Sequence, residues 1–105
     1  AYSVAKAGLA QLARIAALEW GSEGIRVNTV HPNAVYDTAI WTDEVLASRA
    51  AHHGVSVAEY KRSNVLGTEL QAADVAETVA ALLGAQLDKT TGAQIPVDGG
   101  NDRVI

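Results

Sequence analysis

The stretch Gly24-Ile25-Arg26-Val27-Asn28-Thr29-Val30-His31-Pro32 decides the fold. Residues 25–30 alternate apolar and polar and are rich in β-branched side chains, the pattern of a half-buried strand. Pro32-Asn33 ends it, because proline cannot donate to a ladder. Upstream, residues 3–20 read as one helix. Ala5, Ala7, Ala10, Ala13, Ala16 and Ala17 are strong helix formers, and Leu9, Leu12, Ile15 and Leu18 recur at threes and fours. Its few polar residues leave a narrow polar stripe, which predicts a helix covered on most sides. Gly21 is expected as the C′ residue that stops it.

Downstream, residues 34–70 are the least regular part. Thr42 is placed to cap a helix through about Ala51, with Asp43 and Glu44 in its first turn. Ser56 and Glu59 have the spacing of a capping box for a second short helix. Residues 72–84 read as a further helix, with Val75, Val79, Leu82 and Leu83 on its apolar face. Residues 93–97 form a strand that Pro96 confines to a sheet edge or a bulge, and Asp98-Gly99-Gly100 turns the chain. Strand, long helical crossover and strand make a parallel βαβ unit, hence an α/β chain. Two strands do not make a stable sheet on their own. The expectation is therefore a piece of a larger sheet. A chain that opens inside a helix and has no methionine fits that expectation.

Composition narrows the function classes. The 105 residues are 49% hydrophobic and 19% charged, as in an ordinary globular domain. A net charge of −4 offers no basic footprint for nucleic acid or an anionic membrane. The absence of cysteine excludes disulfides, a thiol nucleophile and cysteine-based metal sites. No apolar run approaches the ~20 residues of a membrane span, so a cytoplasmic setting is expected.

Tyr2 and Lys6 stand four apart and share one helix face. A free tyrosine, with a pKa near ~10, is a poor base at neutral pH. An ammonium beside it favours the phenolate and suits the phenol to moving a proton to or from a substrate oxygen. The pair alone is a weak signal; its order relative to the rest of the chain is not. Tyr2-Ser3-Val4-Ala5-Lys6-Ala7-Gly8-Leu9 is followed by residues 24–32, Asp74-Val75-Ala76, Thr91-Gly92 and Val97-Asp98-Gly99-Gly100. This closely resembles the C-terminal part of a short-chain dehydrogenase/reductase, most specifically at Tyr2–Lys6, 25–32 and 91–100.

The resemblance implies that residues 1–105 are the C-terminal portion of a single NAD(P)-binding Rossmann-type domain, a doubly wound parallel sheet of which two strands and their flanking helices are present. Residues 34–70 would be its substrate-lobe excursion. It implies hydride transfer between NAD or NADP and an alcohol/carbonyl pair of a small-molecule substrate. Tyr2 matches the catalytic acid/base, and Lys6 matches the lysine that assists it and binds the nicotinamide ribose. Pro32, Asn33, Ala34 and Val35 match the Pro-Gly-x-Val segment along the nicotinamide, with the Val35 backbone meeting the carboxamide. Asn33 replaces the usual glycine, and asparagine tolerates left-handed backbone angles. Asp37 stands where the family's phosphate-contacting threonine is expected, with Thr38 next. Tyr36 and Trp41 fall in the substrate lobe.

The family's glycine-rich loop, its catalytic serine and its NAD/NADP-selecting residue would lie upstream. Gly99-Gly100 is no substitute, as no helix follows. The isolated chain is thus expected to be inactive and, with its first helix uncovered, a homo-oligomer. One branch of the family that the sequence is similar to fuses the dehydrogenase to an aldolase domain and includes members acting on sugar- or aldehyde-derived substrates. The competing reading is a non-catalytic oligomerisation and substrate-lobe module. No metal is expected: the neighbouring His52 and His53 point about 100° apart on a helix and read as a solvated pair. His31 reads as a packed residue and Trp20 as a helix-interface anchor.

Overall fold

The computed structural model describes residues 1–101; residues 102–105 of the expected domain lie outside the described residues. The chain is α/β, in the order α1 (Tyr2–Trp20), β1 (Thr29–Pro32), α2 (Asp43–His52), α3 (Val57–Lys61), α4 (Ala72–Leu83) and β2 (Gln94–Val97). Two compact units emerge: Ala1–His31 with Thr78–Ile95, and Pro32–Glu77 with the residues from Pro96 on.

The two strands pair as neighbours in one sheet. In the first unit the Thr29 amide donates to the Ala93 carbonyl at 2.9 Å, and in the second the Asn33 amide donates to the Val97 carbonyl at 3.3 Å. Register advances by four on both strands, so they run parallel and the odd residues of β2 face β1. Pro96 is even; its missing donor points away from the ladder, which is how proline is tolerated in the strand.

The strand expected over residues 25–30 begins only at Thr29. Over residues 25–28 the backbone keeps one bond across, the Gly92 amide donating to the Val27 carbonyl at 2.7 Å, and side chains supply the rest. The Val27 amide donates to Thr91 Oγ1 at 3.0 Å. Asn28 bridges the same loop, its Nδ2 donating to the Thr90 carbonyl and its Oδ1 accepting from the Ala93 amide. The Arg26 guanidinium donates to the carbonyls of Leu82, Leu87 and Thr90 at 2.7–3.1 Å. It thereby satisfies the C-terminal end of α4, which has no basic residue in its own last turn.

The end of α1 also differs from expectation. Gly21 is right-handed helical (φ −58°) and begins a 3-10 turn; the left-handed residue is Gly24, at φ 75°. The Ile25 amide reaches the Trp20 carbonyl and the Gly24 amide the Gly21 carbonyl, the paired bonds of a Schellman ending one turn later than expected. Nor is α1 covered on most sides. Only Ala16 and Ala17 are buried, while Leu18 is 84% and Leu12 60% exposed. Leu9, Leu12, Ile15, Trp20 and Val27 line a groove of about 330 Å³ along it.

The second unit closes on itself. Thr42 caps α2 by accepting from the Val45 amide. Ser56 and Glu59 form the full capping box of α3. Leu46, Ala50, Leu70 and Tyr36 are buried. The turn after β2 packs on residues 64–66: the Leu66 amide donates to the Gly99 carbonyl, and Asp98 Oδ1 accepts from the Gly100 amide at 2.8 Å. Gly100 has φ 80°, and a Cβ there would meet Val65 Cβ at 2.8 Å, so glycine is required on two counts.

Candidate active site

In the first unit, the opening turn of α1 carries Tyr2 and Lys6. Lys6 Nζ lies 5.5 Å from the Tyr2 ring centroid, over its face. Helical spacing alone brings the pair together. Tyr2 is 75% exposed, so the pair lacks the water-excluding surroundings that strengthen such electrostatics.

In the second unit, β1 runs out at Pro32 and delivers the next residues to a tight turn. The left-handed residue there is Ala34 (φ 55°) and not Asn33. The conformation is costly for an L-residue with a Cβ, and strain of this kind concentrates at functional sites. Val35 forms an isolated parallel bridge with Leu70. The Tyr36 amide donates to the Leu70 carbonyl at 3.1 Å, so the bridge bonds belong to the residues flanking Val35, and the amide and carbonyl of Val35 itself face the other way. That carbonyl accepts from Thr38 Oγ1 at 2.9 Å.

Asp37, in place of the expected threonine, has a structural task. Its carboxylate accepts from the Ala72 amide at 2.8 Å and caps the start of α4 from 35 positions away in sequence. Asp74 reaches back to the Gln71 amide at the same helix end. Both carboxylates sit where the helix dipole favours negative charge.

Two clefts share this segment. One, of about 450 Å³, is almost wholly apolar and is lined by Pro32, Val35, Thr38 and, from α4, Val75 and Ala76. The other, of about 510 Å³, is lined by Asn33, Tyr36, His53, Glu59 and Tyr60 among others. Ala34 and Trp41 belong to both walls. The expected cofactor-side residues Pro32, Ala34 and Val35 therefore meet in the first cleft, and Tyr36 and Trp41 meet in the second, with Asn33 beside them.

The second cleft has an aromatic floor. Tyr36 lies 5.0 Å from Trp41 and 6.1 Å from Tyr60, and Trp41 lies 6.4 Å from Tyr60, all as centroid distances. Burial, then the neighbouring Tyr60 and Glu69, push the Tyr36 phenol above its ordinary value and keep it neutral. The Ser56 hydroxyl and amide hold the Glu59 carboxyl below its ordinary range. His52 and His53 are both exposed and their rings meet edge-on at 5.4 Å, and His53 in addition stacks on Tyr60 at 5.5 Å and 27°. His31 is exposed rather than packed, and its Nε2 sits 2.6 Å from Gln94 Oε1. No group of three or more metal-ligating side chains converges among the described residues. His53 and Tyr60 were missed as cleft residues because nothing in the spacing of 34–70 shows that α2 and α3 fold their ends against Trp41.

The comparisons with known proteins fit this architecture. Residues 1–102 match the family model described as enoyl-(acyl carrier protein) reductase. The chain belongs to the short-chain dehydrogenase/reductase family. It is 40% identical over 105 residues to the uncharacterized oxidoreductase YuxG of Bacillus subtilis, covering 95% of this chain and 15% of that protein. A short-chain dehydrogenase family protein from Francisella tularensis superposes with a TM-score of 0.74 at 32% identity, covering 97% of this chain and 43% of that one. A 4-hydroxyisoleucine dehydrogenase complexed with NADH superposes at 0.73 with 25% identity, covering 93% and 37%. The chain thus spans less than half the length of these relatives. No helix of the described residues is long and apolar enough to cross a membrane.

Proposed function

We propose that this chain supplies the proton-transfer pair and substrate lobe of an NAD- or NADP-dependent oxidoreductase that interconverts an alcohol and a carbonyl. The observation that carries the reading is Tyr2 and Lys6 on one turn of α1, with the lysine over the phenol ring, in a chain of this family. The cofactor supplies or takes the hydride. Tyr2 gives a proton to the substrate oxygen on reduction and takes it on oxidation. Lys6 stabilises the phenolate left in the first direction and used in the second. The apolar cleft suits the flat nicotinamide ring: Pro32 and Val35 would hold it, and the outward-facing backbone of Val35 would meet its carboxamide.

In the full-length protein, Tyr2→Phe should lower turnover by about 10²–10⁴-fold, the usual contribution of a general acid–base, while NADH affinity holds. Persisting activity would sink the assignment. A non-catalytic homologue would show no turnover before the substitution.

The parent is read as longer than this chain, an aldolase-fused enzyme acting on a sugar- or aldehyde-derived substrate in the cytoplasm. The 15% coverage of YuxG supports the added length, and the intact mass of the gene product tests it. Without a glycine-rich loop, and with the apolar face of α1 bare, the chain by itself should fail to bind NADH in a fluorescence titration and should self-associate in light scattering. Micromolar NADH binding or a folded monomer would contradict these expectations.

A further inference from the structure

Resting on the oxidoreductase reading, we propose that the aromatic cleft of the second unit selects an uncharged, polyhydroxylated substrate of pentitol or hexitol size, with Tyr60 and Glu59 setting that preference. At about 510 Å³ the cleft is large enough for such a molecule.

Three rings meet at its floor with centroids within 6.4 Å of one another, tilted 57–64° to each other, with Tyr36 buried beneath Trp41 and Tyr60. Aromatic rings offer large apolar area to the carbon chain of a polyol. His53 stacks on one side of Tyr60 and holds that ring in place. Beside the charged Glu59, neutral groups that both donate and accept line the same cleft: Asn33, Asn101 and the Ser63 hydroxyl. Ser63 Oγ donates to the Tyr60 carbonyl at 2.8 Å, which leaves its oxygen to accept from a ligand hydroxyl. A purely apolar alcohol would cover the Ser63 oxygen without bonding it, at a cost.

Among the described residues the charge at the cleft disfavours anionic esters. Among the described residues no lysine or arginine lines the cleft, and its one charged side chain is Glu59. Lys61, on the same short helix, is committed to Glu69 at 3.0 Å. A phosphate or carboxylate placed here meets a like charge with no counter-ion. Glu59 Oε2 accepts both from the Ser56 amide and from its hydroxyl, so the carboxylate is fixed at this wall.

The test uses the full-length protein and NAD(P), with unphosphorylated pentitols and hexitols, their terminal phosphate esters, and cyclohexanol. The best free polyol should exceed its own phosphate ester and cyclohexanol by about tenfold or more in kcat/KM. Tyr60→Ala should raise KM for that polyol about tenfold with a smaller change in kcat, and Tyr60→Phe should restore most of it. Glu59→Gln keeps a cap-competent side chain and should raise the ester-to-free-polyol ratio about tenfold. Preference for the ester or for cyclohexanol, or an unchanged ratio in Glu59→Gln, would overturn the proposal. Ligand-observed NMR separates its failure from that of the oxidoreductase reading. Free polyol binding without any turnover supports the cleft's selectivity and removes the enzyme reading; neither binding nor turnover overturns both.

Discussion

Helix α1 and the excursion from residue 34 to residue 70 solve opposite problems. α1 is nineteen residues of strong helix formers whose backbone bonds are internal, yet most of its large side chains are bare. The excursion is built from helices of ten and five residues, too short to stand alone, yet it buries Tyr36, Leu46, Ala50 and Leu70 and caps each helix with its own side chains. Helical propensity makes the first region, and packing makes the second. The chemistry divides the same way: Tyr2 and Lys6 are neighbours by helical spacing, whereas the cleft around Trp41 and Tyr60 exists only because separate elements converge.

That contrast can be broken by mutation. The largest effect expected is the loss of turnover in Tyr2→Phe, which needs no loss of structure. Next, Leu46→Ala removes a side chain only 4% exposed and should destabilise the chain by about 2–5 kcal/mol, whereas Leu18→Ala, on the bare face of α1, should change stability by less than about 0.5 kcal/mol. Denaturant titration of the two variants decides it; equal losses would mean that α1 is covered in solution by a second copy. Smaller again, Ala34→Gly should relieve the left-handed strain and raise stability by about 0.5 kcal/mol, the net of relief and added chain entropy. A decrease would place the strain elsewhere in the turn.

The smallest effect is a pH dependence. Because burial raises the Tyr36 pKa in the folded chain, the folded state binds its proton more tightly than the unfolded state does. This contribution is complete below the unfolded value of about 10 and is lost as pH climbs through the raised folded value. Melting temperatures followed from pH 9 upward should fall, and Tyr36→Phe should flatten that part of the fall. An unchanged slope in the variant would assign it to other groups.

Much of the fold was legible because its signals are local. Alanine content and three–four spacing marked α1, Thr42 and the Ser56–Glu59 box marked the starts of α2 and α3, and Pro96 marked a strand with one side unpaired. The misreadings share a cause: a tertiary partner overrode a local rule. Residues 25–28 have the alternation of a strand, but only the Val27 carbonyl takes a backbone bond there, from the Gly92 amide, and Thr91 and Asn28 supply side-chain bonds for the rest. Gly21 looked like the helix stop, but the chain takes another 3-10 turn and spends its left-handed residue at Gly24. Asn33 was the residue type suited to positive φ, yet Ala34 adopts it, because the Val35–Leu70 bridge sets the turn.

By itself, then, the sequence determined the features that spacing along the chain can set: an α/β order, a tyrosine and a lysine on one helical face, and the family they mark. Only the tertiary structure decided the contacts between residues far apart in sequence. It gave Asp37 to the start of α4, Arg26 to its end, and His53, Tyr60 and Trp41 to a common cleft. The physical reason is range. Backbone periodicity and caps act over one or two turns, whereas a guanidinium finds its three carbonyls, and a ring its stacking partner, only after the whole unit has closed.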